Sequence, residues 1–288
     1  MQYVNNSKSM FKSRGAFTLV ELLVVIAIIG LLSTVAVVST TSSREKARLA
    51  SASSYAATIQ RNIGAEAAAV YDFEDGAGTT AVSTVGSGSN NATITGATWS
   101  TDTNGSNSKS SLSFSGSDYL TTAGGFGIAN TNFTIALWIK TTSTGGQVYV
   151  VTGPLTGGSG FRFGLTGGRI AYYMGNGVAS PTEVQCGTQT VNDGKWHHLV
   201  GEYNRSGSKF VCYIDGRQVG SVAWASTYPN MLDAAARIGT GHCCTAFVGL
   251  LDDVRIYAQN LSGVAINDLY NEGKKRLAAK DIRFIADF

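Results

Sequence analysis

The chain has 288 residues and a formal net charge of +3, which bounds it to one or two domains. Only 14% of residues are charged, against 35 glycines and 3 prolines, a composition that suits a β-rich extracellular domain with many turns. Much of the positive charge lies at the two ends, and no basic stripe for nucleic acid is present.

Residues Met1 to Ala16 form a basic leader with Lys8, Lys12 and Arg14 and no acid. Phe17 to Val38 is an apolar segment of about 22 residues, long enough to cross a bilayer as a helix. Its one charge is Glu21, near its start. A secretory signal would place small residues after the apolar core. Here Gly15 and Ala16 precede it, so a cut there removes the leader and keeps the helix. The positive-inside rule puts the leader in the cytoplasm and everything after Val38 outside. A carboxylate inside a membrane helix is costly and takes a partner, so Glu21 is singled out.

This pattern resembles the class III leader of type IV pilins and of the pseudopilins of type II secretion. The resemblance implies a membrane peptidase that cuts ahead of Phe17 and N-methylates it. Glu21 is then fifth in the mature chain and pairs with the Phe17 amine of its own or a neighbouring subunit. Cutting after Gly15 instead would make Glu21 sixth.

Beyond the span, Tyr55, Ile59 and Ile63 form one stripe on an Ala-rich helix that continues to about Ala69. Gly64 marks a weak point or an end. From Val70 the period changes to two. Strands are expected at Val70–Glu74, Ala92–Thr95, Leu112–Ser115, Tyr119–Leu120, Phe133–Lys140, Gln147–Thr152, Phe161–Leu165 and Arg169–Met174. Others follow at Lys195–Asn204, Lys209–Asp215, Gln218–Val222, Arg237–Gly239 and Phe247–Tyr257. Asn204–Ser208 and Asp215-Gly216-Arg217 read as hairpin turns. Ser262 is the N-cap of a last helix with Ile266, Leu269 and Tyr270 on its apolar face, and Gly273 stops it. Lys274–Phe288 is a basic tail, with an extra strand at Ile282–Phe288 or an unstructured end. The fold class is α+β: a long N-terminal transmembrane helix, an all-β jelly-roll sandwich and a short C-terminal helix. The divisions are residues 1–16, 17–69, 70–273 and 274–288.

The β region is similar to laminin-G-like domains of the concanavalin A-like class. The carrying pieces, in order, run from Tyr71-Asp72-Phe73-Glu74-Asp75-Gly76 through Leu112–Leu120, Phe133–Lys140, Asp193–Val200 and Phe210–Gly216 to Gly249–Tyr257. Members of that fold include lectins, adhesion modules and β-glucanases, so the fold alone does not settle function. The glucanases carry Glu-x-Asp-x-x-Glu, and retaining chemistry needs two carboxylates about 5 Å apart. No such run exists here, and Glu74 sits on an opening turn beside Asp72 and Asp75, so no enzymatic activity is expected. The resemblance implies a structural calcium held by Asp252, with Asp75 or Asp72 contributing. The alternative is that Asp252 caps a loop by hydrogen bonds.

Trp138 and Trp196 are expected to pack. Trp224 and Tyr228, in a loop, are candidates to stack on sugar rings or to bury against the sandwich. Tyr172 and Tyr173 face opposite sides of one strand, so at most one can meet a ligand. The same alternation separates His197 from His198 and argues against a shared metal. Cys186, Cys212, Cys243 and Cys244 lie in the part expected outside, where disulfides form, and allow three pairings. Adjacent Cys243 and Cys244 are not expected to bond each other. The run His242-Cys243-Cys244 lacks zinc spacing.

The expected function is a subunit of a type IV pilus-like filament that displays a lectin-like head for adhesion. It would self-assemble or join co-pilins through its N-terminal helix and take a glycan or surface protein as ligand. It would be a single-pass inner-membrane protein before assembly and extracellular afterwards. The alternatives are a secretion pseudopilin that contacts cargo, or a carbohydrate-binding head on an uncleaved anchor.

Overall fold

The computed structural model describes residues 18–30, 46, 48, 51, 67–86, 90–104, 108–152, 160–174, 182–224, 234–240 and 246–286. The chain divides into two units, Met1–Tyr55 and Ala56–Phe288.

In the first unit a helix, α1, occupies residues 19–30. Thr18 opens it as a capping box. The Glu21 amide donates to Thr18 Oγ1 at 3.3 Å, and Glu21 Oε2 accepts from the Thr18 amide at 2.9 Å. Leu19, Val20, Leu22, Leu23, Ile26 and Ile29 are all more than half exposed, so the helix is apolar around its circumference. Among the described residues no helix is long and apolar enough to cross a membrane. Phe17 and residues 31–38 of the expected span lie outside them, as do Gly15, Ala16, Tyr55, Ile59, Ile63 and Gly64.

The second unit is a sandwich of two antiparallel sheets. Its strands, numbered in chain order, are β1 (Ala67–Tyr71), β2 (Thr80–Ala81), β3 (Ala92–Thr95), β4 (Thr98–Ser100), β5 (Ser111–Ser115), β6 (Tyr119–Thr122), β7 (Phe133–Lys140) and β8 (Gln147–Thr152). Then come β9 (Phe161–Thr166), β10 (Arg169–Met174), β11 (Thr182–Gln185), β12 (Trp196–Asn204), β13 (Lys209–Ile214), β14 (Arg217–Ala223), β15 (Arg237–Ile238) and β16 (Val248–Tyr257). One sheet runs β14-β13-β12-β7-β16-β5-β4, with β1 also on β16. The other runs β11-β10-β9-β8-β15-β6-β3-β2. Strand β16 is long enough to take two partners on one side. Its first half pairs with β5 and its second with β1.

The expected first strand ends early. Phe73 has φ of +53°, outside the extended region, so the chain turns after Tyr71. Strands β2, β4 and β11 are two to four residues long and carry too few alternations to stand out in sequence.

The inner faces bury Phe133, Ile135, Leu137 and Ile139 of β7 against Phe161, Phe163 and Leu165 of β9 and Tyr172 of β10. Gly201 on β12 gives those rings room, since a Cβ there would lie 2.7 Å from Phe163. A disulfide joins Cys186, just past β11, to Cys212 on β13 and so ties one sheet to the other. A loop of 26 residues closed this way stabilises by about 3.5 kcal/mol in the chain-entropy account. Cys243 and Cys244 lie outside the described residues.

The C-terminal helix α2 spans Gly263–Ala286. Ser262 caps it, with the Ala265 amide donating to Ser262 Oγ at 3.1 Å. Its Ile266 and Leu269 cover Ala136, Val200 and Tyr257 on the outer face of the first sheet. Two expectations are corrected here. Gly273 does not stop the helix, and 282–286 is helical rather than a strand. Gly273 is needed for close approach instead, because a Cβ there would lie 2.5 Å from the Trp138 ring. Trp138 is buried as expected, but beneath this helix, where it packs on His198 and Tyr270.

Replacing Gly273 with Val should therefore cost about 1–3 kcal/mol by overpacking. Gly263→Ala, where nothing lies within 4 Å, should cost nothing. Urea denaturation of the two variants checks both, and equal midpoints would contradict the role given to Gly273.

Candidate functional site

Strand β16 places the acidic residues singled out in sequence. Leu251 and Val254 both enter the inner core although three residues apart. That requires the β-bulge between Asp252 and Arg255, where Asp253 adopts φ of +46°. The bulge sends Asp252 and Asp253 to different partners.

Asp252 is 1% exposed. Its carboxylate accepts from the Asn104 amide at 3.2 Å, Ser108 Oγ at 3.0 Å and the Asp253 amide at 2.8 Å. All three donors are neutral. Burial, reinforced by Asp253, pushes its carboxyl up to about 8. The Asn104 side chain is fully buried beside it, with neither amide atom hydrogen-bonded. A buried carboxylate with only neutral donors, bonded to the amide of a residue whose own buried carbonyl oxygen has no hydrogen bond, has donor chemistry that a hard cation takes. Asp72 and Asp75 are engaged in the opening turn. Asp72 Oδ1 accepts from the Glu74 amide and Asp75 Oδ2 from the Val82 amide. Burial raises the Asp72 carboxyl. Glu74 holds the Lys109 amide with both oxygens, at 3.1 and 2.9 Å. Among the described residues no group of three or more His, Cys, Asp or Glu could hold a metal ion.

Asp253 instead forms a bidentate pair with Arg255, at 2.8 and 2.9 Å. Arg255 reaches Glu272 of α2 at 3.5 Å. This buried ionic group anchors the helix, a role sequence reasoning missed because the partners are far apart in the chain. The N-terminal end of α2 is held by Glu202, whose Oε1 accepts from the Leu261 amide at 3.0 Å.

The two histidines separate as alternation requires. His197 lies between Asp215 and Asp193, at 2.9 and 3.1 Å, and chiefly the hydrogen bond to Asp215 raises its pKa. His198 is buried beneath α2 with Nδ1 unbonded. Trp196 Nε1 donates to Asp102 at 3.0 Å.

Trp224 is 5% exposed, with its ring edge-on to Phe210. It belongs to the inter-sheet core and is not an exposed stacking platform. Tyr228 lies outside the described residues.

Residues 114–267, more than half of the chain, match the family description of the concanavalin A-like lectin/glucanases superfamily in its laminin-G type. The chain belongs to this superfamily. Residues 11–37 match the prokaryotic N-terminal methylation motif, so a pilin-like N-terminus is fused to a lectin-like jelly roll. No curated protein matches the chain. Among solved structures, domain 4 of AbnA, an extracellular arabinanase of Geobacillus stearothermophilus solved with arabinotriose, is 18% identical with a TM-score of 0.56. The match covers 71% of this chain and 98% of that one. Botulinum neurotoxin type C, in a structure concerned with binding of two ganglioside molecules, is 15% identical with a TM-score of 0.55. That match covers 74% of this chain and 53% of the neurotoxin chain. The serotype D binding domain is also 15% identical, with a TM-score of 0.54. These likenesses show the superfamily's fold.

His198 carries a pH prediction. Burial pulls its pKa down to about 4, with Arg255 adding to the fall and Asp253 and Asp215 opposing it. An unfolded histidine titrates near 6.5. Below that pH the unfolded chain takes up a proton that the folded head refuses. This contribution to stability is complete above pH 6.5 and is lost as pH falls towards 4, by roughly 3 kcal/mol. Urea midpoints at pH 7 and pH 4.5 should therefore drop more for the native chain than for His198→Phe. Parallel drops would refute the assignment.

Proposed function

We propose that this chain is a subunit of a type IV pilus-like filament whose jelly-roll head binds glycans for adhesion. The observation that carries the reading is the methylation motif over 11–37, running into a helix whose apolar side chains are exposed all round. Such a helix needs lipid or copies of itself around it. The leader directs membrane insertion. A prepilin peptidase cuts between Ala16 and Phe17, and the helices then leave the membrane to form a filament core with the heads outside.

Glu21 suits the register role. Its Oε2 already lies 2.9 Å from the Thr18 amide, one residue from the amine that cutting would create at Phe17. In the assembled filament that amine and Glu21 neutralise each other in an apolar core, where an unpaired charge is costly. Replacing Glu21 with Ala should leave the head's melting temperature unchanged and abolish incorporation into filaments sheared from cells. Normal incorporation would sink the register role, and a mature protein that still begins at Met1 would sink the processing.

The head is read as a binding module, and we assign it no reaction. We further propose that Asp252 holds a calcium ion, with Asn104 Oδ1 as the natural second oxygen and Asp72 or Asp75 contributing free carboxylate oxygens from the opening turn. Bound calcium would supply the positive charge that the buried carboxylate lacks and fix the segment around Asn104. At a hundredfold excess over its Kd, calcium should stabilise the head by about 2.7 kcal/mol. Thermal melting with calcium and with chelator should show this gain in the native chain and none in Asp252→Asn. A calcium-independent melt would exclude the site.

A further inference from the structure

Helix α2 covers the outer face of the first sheet, whereas the outer face of the second carries polar side chains. Alternation and register place them. Leu120, Ile94, Phe163, Tyr172 and Ile238 point into the core, so their strand neighbours point out. Tyr173 of β10 pairs across with Glu183 of β11 and with Arg162 of β9. Arg162 pairs with Val151 of β8, Val151 with Arg237 of β15, and Arg237 with Thr121 of β6. Thr121 pairs with Thr93 and Thr93 with Thr80. One row of paired backbone positions thus crosses the whole sheet.

Two arginines on this row stack on tyrosines. The Arg162 guanidinium lies 5.5 Å from the Tyr173 ring centre, and that of Arg237 lies 4.6 Å from Tyr119. Arg162 is largely buried, while Arg237, Tyr119 and Tyr173 are half-buried and Thr80, Thr93 and Thr95 are exposed. Among the described residues Arg237 has no carboxylate partner. By alternation the strands put three arginines, Arg162, Arg169 and Arg237, on this face against one acid, Glu183, which is engaged by the Tyr173 hydroxyl.

We propose that this face binds an acidic oligosaccharide, one that carries uronic, sialic or sulfate groups. The inference rests on the glycan-binding reading of the head and names its ligand class. From Tyr173 to Thr121 the row crosses β10, β9, β8, β15 and β6, about 19 Å at a strand spacing of about 4.8 Å, with Tyr119 two residues further along β6. A strip of that length suits an extended chain of a few sugars. Tyrosine rings offer faces to sugar rings, and the threonine hydroxyls both donate and accept towards sugar hydroxyls. The planar fork of Arg237, held against Tyr119, presents paired donors to a carboxylate or sulfate. Three cations over five strands are too few for a phosphate backbone, whose binders neutralise about six to ten charges. The guanidinium of Arg237, without a carboxylate partner among the described residues, sets acidic glycans above neutral ones.

The test uses the full chain in detergent micelles and immobilised polygalacturonate, hyaluronan, polysialic acid, arabinan and dextran. The native chain should bind at least one acidic polymer ten times more tightly than either neutral one. Arg237→Gln should lose that binding at least tenfold. Lys195→Gln, which removes the same charge from a side chain 78% exposed in a turn, should bind as the native chain does. Arg237→Lys keeps the charge without the fork, should bind between the two, and serves if the glutamine variant fails to fold. Binding by Arg237→Gln equal to native, an equal loss in Lys195→Gln, or tighter binding of neutral polymers would overturn the acidic face and leave glycan binding standing. Binding to none of the five would overturn both.

Discussion

Strand β7 is apolar on both of its faces, and the head is built to keep water from each. Phe133, Ile135, Leu137 and Ile139 point one way into the inter-sheet core, and Ala136 and Trp138 point the other way. A strand of this kind sits in the middle of a covered sheet. The second sheet closes one face. Only a further element can close the other, and α2 does so. Its Ser262 cap, the Glu202 hydrogen bond to Leu261 and the missing side chain at Gly273 all serve that contact.

Covering the second face places charge where water cannot reach it. Arg255 meets this by bonding to Asp253 beside it and to Glu272 above it. Such a group is a poor source of net stability but strongly disfavours a shifted helix, because any shift would leave a charge unpaired. Asp252, one residue from this group, has only neutral donors. Two adjacent aspartates on one bulge therefore do different work, one holding the helix and the other holding the Asn104 and Ser108 segment by hydrogen bonds.

The two units meet the hydrophobic constraint by opposite routes. The head covers its apolar strands with its own chain. The N-terminal helix has apolar residues on every side and nothing of its own among the described residues to cover them. Its sole carboxylate, Glu21, is satisfied locally by Thr18, which leaves that carboxylate beside the position where processing would create an amine.

Much of this was legible in the linear chain. Leader charge, small residues, Phe17, Glu21 and the apolar run stand in an order that the linear chain itself shows, and the long strands and their glycine turns follow from period-two alternation. Local preference decides such features, so sequence by itself determined them. The rest required the register between distant strands. Gly273 reads as a helix stop until Trp138 is seen against it. Trp224 reads as a loop aromatic until its ring is seen edge-on to Phe210. The pairing of Cys186 with Cys212, 26 positions apart, and the row from Tyr173 to Thr121 join segments distant in the chain, and the bulge that parts Asp252 from Asp253 hangs on one irregularity in a strand. Only the tertiary structure decided these, because packing and cross-strand pairing act between segments that carry no local sign of each other.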